Sequence, residues 1–131
     1  MSVARTIVLA LCASLAAPSS TGEAAPPTPA ELMKERVAVA EKAFRTASAQ
    51  HQAGMTAIET VYLWSVRWLD AAIEASPKAA KQALADHLKR MADLEAEAQK
   101  MFKSGTVNSL GTDSAYYYRI EAELWSARGK R

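Results

Sequence analysis

The chain has two histidines, His51 and His87, and these are the first residues to weigh for metal binding or proton transfer. A metal site built on helices needs a further His, Asp or Glu three or four residues along the same helix. At that spacing His51 is followed by Met55, and His87 by Arg90 and Met91. The missing ligands favour packed histidines. A shared metal would require the fold to bring the two together.

Four glutamates could supply paired carboxylates for acid–base catalysis, but each pair is spaced two residues apart: Glu95 with Glu97, and Glu121 with Glu123. That spacing places the two members on different sides of a helix. No serine–histidine–acid arrangement, phosphate-binding loop or dinucleotide-binding turn accompanies them in the sequence. The pattern predicts a solvated charged face on a protein that is not an enzyme and uses no cofactor and no metal.

Aromatic residues are the most conspicuous candidates, because seven of them fall on two short segments. Three consecutive tyrosines at positions 116–118 span about 200° of a helix, so at least one must point away from its own core. Packing between helices explains part of the cluster. The alternative is a partner surface, because aromatic residues are enriched at interface centres. The predicted partner-binding residues are Tyr62, Trp64, Trp68, Tyr117, Tyr118 and Trp125.

Helix start and stop signals place these residues on four helices, at about 29–53, 57–75, 77–103 and 112–128. Thr28 and Glu31 form a capping box before the first helix. Gly54 and Gly105 are predicted hairpin turns, and a second capping box at Thr56 supports the turn at Gly54. The alternative at Gly54 is one unbroken helix across 29–75, since a glycine inside a helix costs only about 1 kcal/mol.

Short turns between helices require neighbouring helices to run antiparallel. The predicted fold is therefore all-α, with antiparallel helical hairpins that form a four-helix bundle or an elongated coiled coil. The chain of 131 residues has room for one such domain, at 29–128. A net charge of +2 with interspersed signs gives no reason to expect nucleic-acid binding.

The first 24 residues have the pattern of a signal peptide. A short segment with one positive charge precedes an apolar run at 6–17, and small residues follow at plausible cleavage positions. Cys12, the single cysteine, lies in that run, so the mature chain would contain none. We expect a disordered leader at 25–28, no membrane span in the mature chain, and a location in the periplasm or outside a bacterium.

The two glycine turns resemble the helical-hairpin repeat of TolC-type outer-membrane efflux proteins. In that family a helix ends at a turn of the form G-x-V-S/T-x-x-D-V. Gly105 and Val107 match it, Asn108 takes the Ser/Thr position, and Gly111 stands where the family has an acid. The turn at Gly54 is one residue shorter. The resemblance implies hairpins whose tips meet helical periplasmic proteins. It implies no pore, because segments that could form a membrane barrel are missing from the sequence.

These patterns lead to a functional hypothesis with one alternative. The first is a secreted or periplasmic helical interaction or structural module, whose partner is a second copy of itself or a periplasmic helical protein. The alternative is a periplasmic stress protein, metal sensor or chaperone-like helical protein. In that case His51, His87 and the dispersed methionines would act as ligands or adaptable contacts.

Overall fold

The structure is a computed structural model that describes residue 22 and residues 24–131. All of the predicted signal peptide except Gly22 and Ala24 lies outside the described residues. The helices are α1 (Pro29–Gln52), α2 (Ile58–Ala75), α3 (Ala80–Lys103) and α4 (Ser109–Arg128), with a 3-10 turn at Pro77–Ala79 before α3. The described residues contain no strand, so the all-α prediction is confirmed.

α1 begins at the predicted capping box. The Glu31 N–H donates to the Thr28 hydroxyl at 3.3 Å, and the Thr28 N–H donates to the Glu31 carboxylate at 2.7 Å. Two backbone donors at the start of the helix are thereby satisfied, with Pro29 at the first helical position.

Both predicted glycine turns are present, so the unbroken helix across 29–75 is ruled out. Gly54 has φ +71° and Gly105 has φ +75°, a left-handed conformation that glycine adopts without strain. In each turn the next N–H closes back on the helix: Met55 donates to the Gln50 carbonyl and Thr106 to the Met101 carbonyl, both at 2.8 Å. The tips lie at the same end of the molecule, because a Cβ on Gly54 would be 4.0 Å from Thr106 Cγ2.

One predicted cap and two predicted helix starts are corrected by the structure. The third helix, predicted from 77, begins at Ala80 after the 3-10 turn. α2 begins at Ile58 with Ala57 in the cap position and no side-chain cap, so the predicted capping box at Thr56 is wrong. The last helix begins at Ser109 rather than at 112. Asn108 caps it by accepting the Gly111 N–H at 3.1 Å, which draws the intervening residues into the first turn.

The helices pair as two antiparallel hairpins, α1 with α2 and α3 with α4, and α2 also packs against α3 and α4. This bundle of four helices is the predicted architecture. The largest fully buried apolar side chains are Val61 and Leu69 on α2 and Leu84 and Met91 on α3. Among the described residues, no helix combines the length and the apolar character needed to cross a membrane.

Candidate interaction surfaces

A buried polar cluster joins α2 to α3. Ser65 and His87 are both 0% exposed, with the Ser65 hydroxyl oxygen 2.9 Å from His87 Nδ1. Arg90 Nε donates to the same oxygen at 2.7 Å, and a second Arg90 nitrogen donates to the Ser65 carbonyl at 3.3 Å. A guanidinium can only donate, so Ser65 is the acceptor of both bonds. The His87 ring stacks on Trp125 with centroids 5.5 Å apart.

This cluster is electrostatically arranged to keep His87 neutral. Burial, together with the charges of Arg90 and Arg131, lowers the pKa of His87 to about 3. Burial also lowers the pKa of Arg90, to about 10, so its guanidinium remains charged at neutral pH. A serine within hydrogen-bonding distance of a histidine is one arrangement of an activated nucleophile. Here neither side chain has exposed surface for a substrate to reach, and the cluster serves to hold α2 against α3.

His51 lies near the tips of the two hairpins. It is buried at 4% exposure, and its Nδ1 is 3.1 Å from the Thr56 carbonyl. Its Nε2 has no hydrogen-bond partner among the described residues. It lines a cleft of about 290 Å³ between the two tips, together with Met101. His87 instead lies beside Ser65, so the two histidines have different hydrogen-bond partners.

Neither the glutamates nor any other acidic group forms a metal cage in the described part of the chain, where no group of three or more His, Cys, Asp or Glu converges. Glu95 instead forms a half-buried ion pair with Arg119 across α3 and α4, and Arg119 also contacts Glu123 at 2.6 Å. Glu121 accepts a hydrogen bond from the Tyr62 hydroxyl. Glu95, which was predicted to lie on a solvated charged face, therefore joins α3 to α4.

The tyrosines form a stack between α2 and α4. Tyr62 and Tyr118 lie face to face with centroids 3.9 Å apart, and Tyr117 meets Tyr118 edge-on. Burial, together with the bond to Glu121, raises the pKa of Tyr62. Tyr117 is 62% exposed and Tyr116 is 51% exposed, so two of the three consecutive tyrosines point away from the core, as the sequence requires of at least one.

The three tryptophans occupy three separate environments. Trp68 packs against Phe44 at a centroid distance of 5.7 Å, with the Arg90 guanidinium 4.2 Å above its ring. Trp125 lies between His87 and Arg131. Trp64, one turn before Trp68, is half-buried beside Val39 of α1. Of the six predicted partner-binding residues, the structure groups Tyr62, Tyr117 and Tyr118, and places each tryptophan elsewhere.

Trp64 lies in a groove along the outside of the first hairpin, which we call the outer face. Two adjoining cavities of about 500 and 300 Å³ share Val39 and Trp64 as their common ridge. Val39 is 53% exposed and Leu32 is 48% exposed. Arg67 lies over the Trp64 ring at 4.6 Å. The residues lining the outer face are Leu32, Glu35, Arg36, Val39, Ala40, Lys42, Ala43, Thr46, Ala47, Gln50, Thr60, Trp64 and Arg67.

Sequence reasoning identified Trp64 but missed the groove around it. The sequence does contain a signal for this groove, because Leu32 and Val39 recur seven residues apart on α1. That spacing puts both on one side of the helix. Comparisons with known protein families, with curated proteins and with solved structures find no match to this chain.

Proposed function

We propose that this protein acts after export, in the periplasm or outside the cell, as a non-enzymatic helical module that binds another protein through its outer face. The observation that supports this most strongly is the groove itself. It carries half-exposed apolar residues on helices whose other side is already packed. Single exposed apolar residues are ordinary, but a contiguous patch around an aromatic residue is typical of an interaction site.

The length of the outer face suits a helix or a helical hairpin as its partner. Its lining residues run along α1 from Leu32 to Gln50, which is about 27 Å at 1.5 Å per residue. Trp64 lies on the ridge at the middle of the groove, where an aromatic side chain contributes most to binding. Charged and polar side chains, among them Glu35 and Lys42, border the apolar residues as in the rim of a protein interface.

The resemblance of the two glycine turns to TolC-type hairpins supports the same proposal. Two Gly-centred tips lie side by side at one end, and the hairpins present long helical faces. A helical partner would pack along those faces by the ridge-and-groove contacts that helices ordinarily make. The module would thus extend a helical assembly.

The test is site-specific photocrosslinking in living cells that express the full chain. A photoreactive residue at position 39 should give defined protein adducts in the periplasmic or secreted fraction. The matched control is position 89, because Lys89 is exposed on α3 with only a surface ion pair to Asp93. Adducts at position 39 that exceed those at position 89 and weaken in Trp64→Ala support the proposal. Equal adducts at both positions, or none at 39, would overturn it.

A further inference from the structure

We infer that the stacked pair of Tyr62 and Tyr118 is a site of oxidative modification, where one-electron oxidants join the two rings in a covalent dityrosine bond. The bond would connect α2 of the first hairpin to α4 of the second. This site is separate from the outer face. Tyr62 lies two residues before Trp64, and residues at that spacing point to different sides of a helix.

The two rings are already in contact. Their centroids are 3.9 Å apart and their planes are inclined by 12°. Aromatic pairs in proteins usually have centroids about 4.5–7 Å apart, so this pair is unusually close. The separation equals the contact distance of carbon atoms, about 3.5–4.0 Å, so ring carbons of Tyr62 touch ring carbons of Tyr118. Because the rings belong to different hairpins, a bond between them would fix how the hairpins meet.

Tyr62 also has a proton acceptor in place. Its hydroxyl donates a hydrogen bond to the Glu121 carboxylate on α4. A phenol that loses an electron becomes strongly acidic, and a carboxylate within hydrogen-bond reach can take its proton as the electron leaves. Burial, together with the bond to Glu121, raises the pKa of Tyr62, so the ring enters the reaction as the neutral phenol.

Tyr117 connects the stacked pair to solvent. It is 62% exposed, and its ring meets Tyr118 edge-on with the centroids 6.1 Å apart. An oxidant that removes an electron from Tyr117 is therefore one aromatic contact away from the stack, which can refill that vacancy. The described residues contain no cysteine, so no thiol among them competes for the oxidant.

The reaction consists of two one-electron oxidations followed by coupling. Tyr62 gives an electron to the oxidant and its hydroxyl proton to Glu121, and Tyr118 gives an electron to the oxidant and its proton to solvent. The two phenoxyl radicals form a carbon–carbon bond between ring positions next to the oxygen-bearing carbons. The hydrogens at those positions then transfer through solvent to the oxygens, which restores both phenols. The product lacks two hydrogen atoms, and the oxidant holds the two electrons.

Photo-oxidation of the purified protein with tris(bipyridine)ruthenium(II) and persulfate tests this inference, in dilute solution where chains rarely meet. Tyr62 is one of four tyrosines in the chain. Trypsin releases it in peptide 46–67 and the other three in peptide 104–119. We expect a joined species with the summed mass of these peptides less two hydrogen atoms. It should come from protein that migrates as a single chain and shows dityrosine fluorescence.

Four variants locate the bond. Tyr62→Phe and Tyr118→Phe should each abolish the joined peptide, because each keeps the ring and removes the phenol. The matched control is Tyr116→Phe, which should leave the yield unchanged, because Tyr116 is 51% exposed and its ring lies against Arg119. Glu121→Gln keeps an acceptor for the Tyr62 hydroxyl but is a far weaker base, so it should lower the yield severalfold.

Three results would overturn the inference. One is a joined peptide that persists in Tyr118→Phe, and another is dityrosine found only between chains, which would show that exposed Tyr117 reacts instead of the stack. The third is no dityrosine under conditions that couple free tyrosine. An unchanged yield in Glu121→Gln would refute the role of Glu121 as proton acceptor. The proposed function is tested separately, by crosslinking at position 39 on the outer face.

Discussion

α1 and α3 are both 24 residues long, yet they are covered very differently. α3 buries seven residues between α2 and α4, including Leu84 and Met91. α1 buries three residues and packs mainly against α2. α3 is therefore covered by neighbouring helices along its buried side. The first helix is attached along one side and leaves apolar surface to solvent.

The turns do not account for this difference. Both hairpins close through a glycine at positive φ and a backbone hydrogen bond of 2.8 Å. The difference lies in the neighbours, because α2 is shared by both hairpins and α1 has no second helix packed along its length as closely. Equivalent hairpins therefore differ in how much surface remains for a partner.

The largest expected effect compares one residue type on the two helices. Met91 is 0% exposed on α3, and Met33 is 37% exposed on α1. Met91→Ala should lower the free energy of unfolding by about 2–5 kcal/mol, because it removes a buried side chain and leaves a cavity. Met33→Ala should lower it by less than about 1 kcal/mol. Urea unfolding of both variants at dilute concentration measures this. Equal losses would remove the contrast between α1 and α3.

Measuring the free energy of unfolding over a series of pH values tests the burial of His87 on α3. His87 has a pKa of about 3 in the folded protein and an ordinary value of 6.5 when unfolded. Between these values the unfolded chain binds a proton that the folded one does not. Stability from this group is therefore complete above pH 6.5 and falls as the pH falls, by up to about 1.4 kcal/mol per pH unit. His87→Gln should lose this part of the slope. An unchanged slope between pH 6.5 and 4 would contradict the burial of neutral His87.

The smallest effect concerns the two tips. Asn108→Ala removes the side chain that caps α4 and should cost about 1 kcal/mol, which is about 4–8 °C in Tm for a domain of this size. Thr56→Ala should shift Tm by less than half as much, because its hydroxyl makes no cap to α2. Thermal unfolding followed by circular dichroism compares them. A larger decrease in Tm for Thr56→Ala than for Asn108→Ala would contradict this assignment of the caps.

Local signals in the sequence were sufficient for the helices and the tips. Thr28 with Glu31 determines where α1 begins, and the glycines determine where two helices end, because these effects depend on neighbouring residues alone. The capping box predicted at Thr56 is wrong because a cap depends on backbone dihedral angles. Ala57 has the extended φ and ψ of a cap residue, and the Thr56 carbonyl faces His51 instead.

The hydrophobic periodicity of the sequence does not predict which neighbouring helix covers a given side of a helix. Trp64 and Trp68 are one turn apart on α2, and by pattern they are equivalent. Trp68 meets Phe44 and Arg90, whereas Trp64 faces the open groove. The bond between Ser65 and His87 was equally invisible, because it joins residues 22 apart on helices whose rotation is set only by packing.

Amide hydrogen exchange tests the contrast between the two helices most directly, with α1 and α3 compared in the same sample. α1 should exchange faster than α3, because fewer buried contacts oppose its opening. Equal protection of α1 and α3 would contradict the assignment of the outer face as the surface left for a partner.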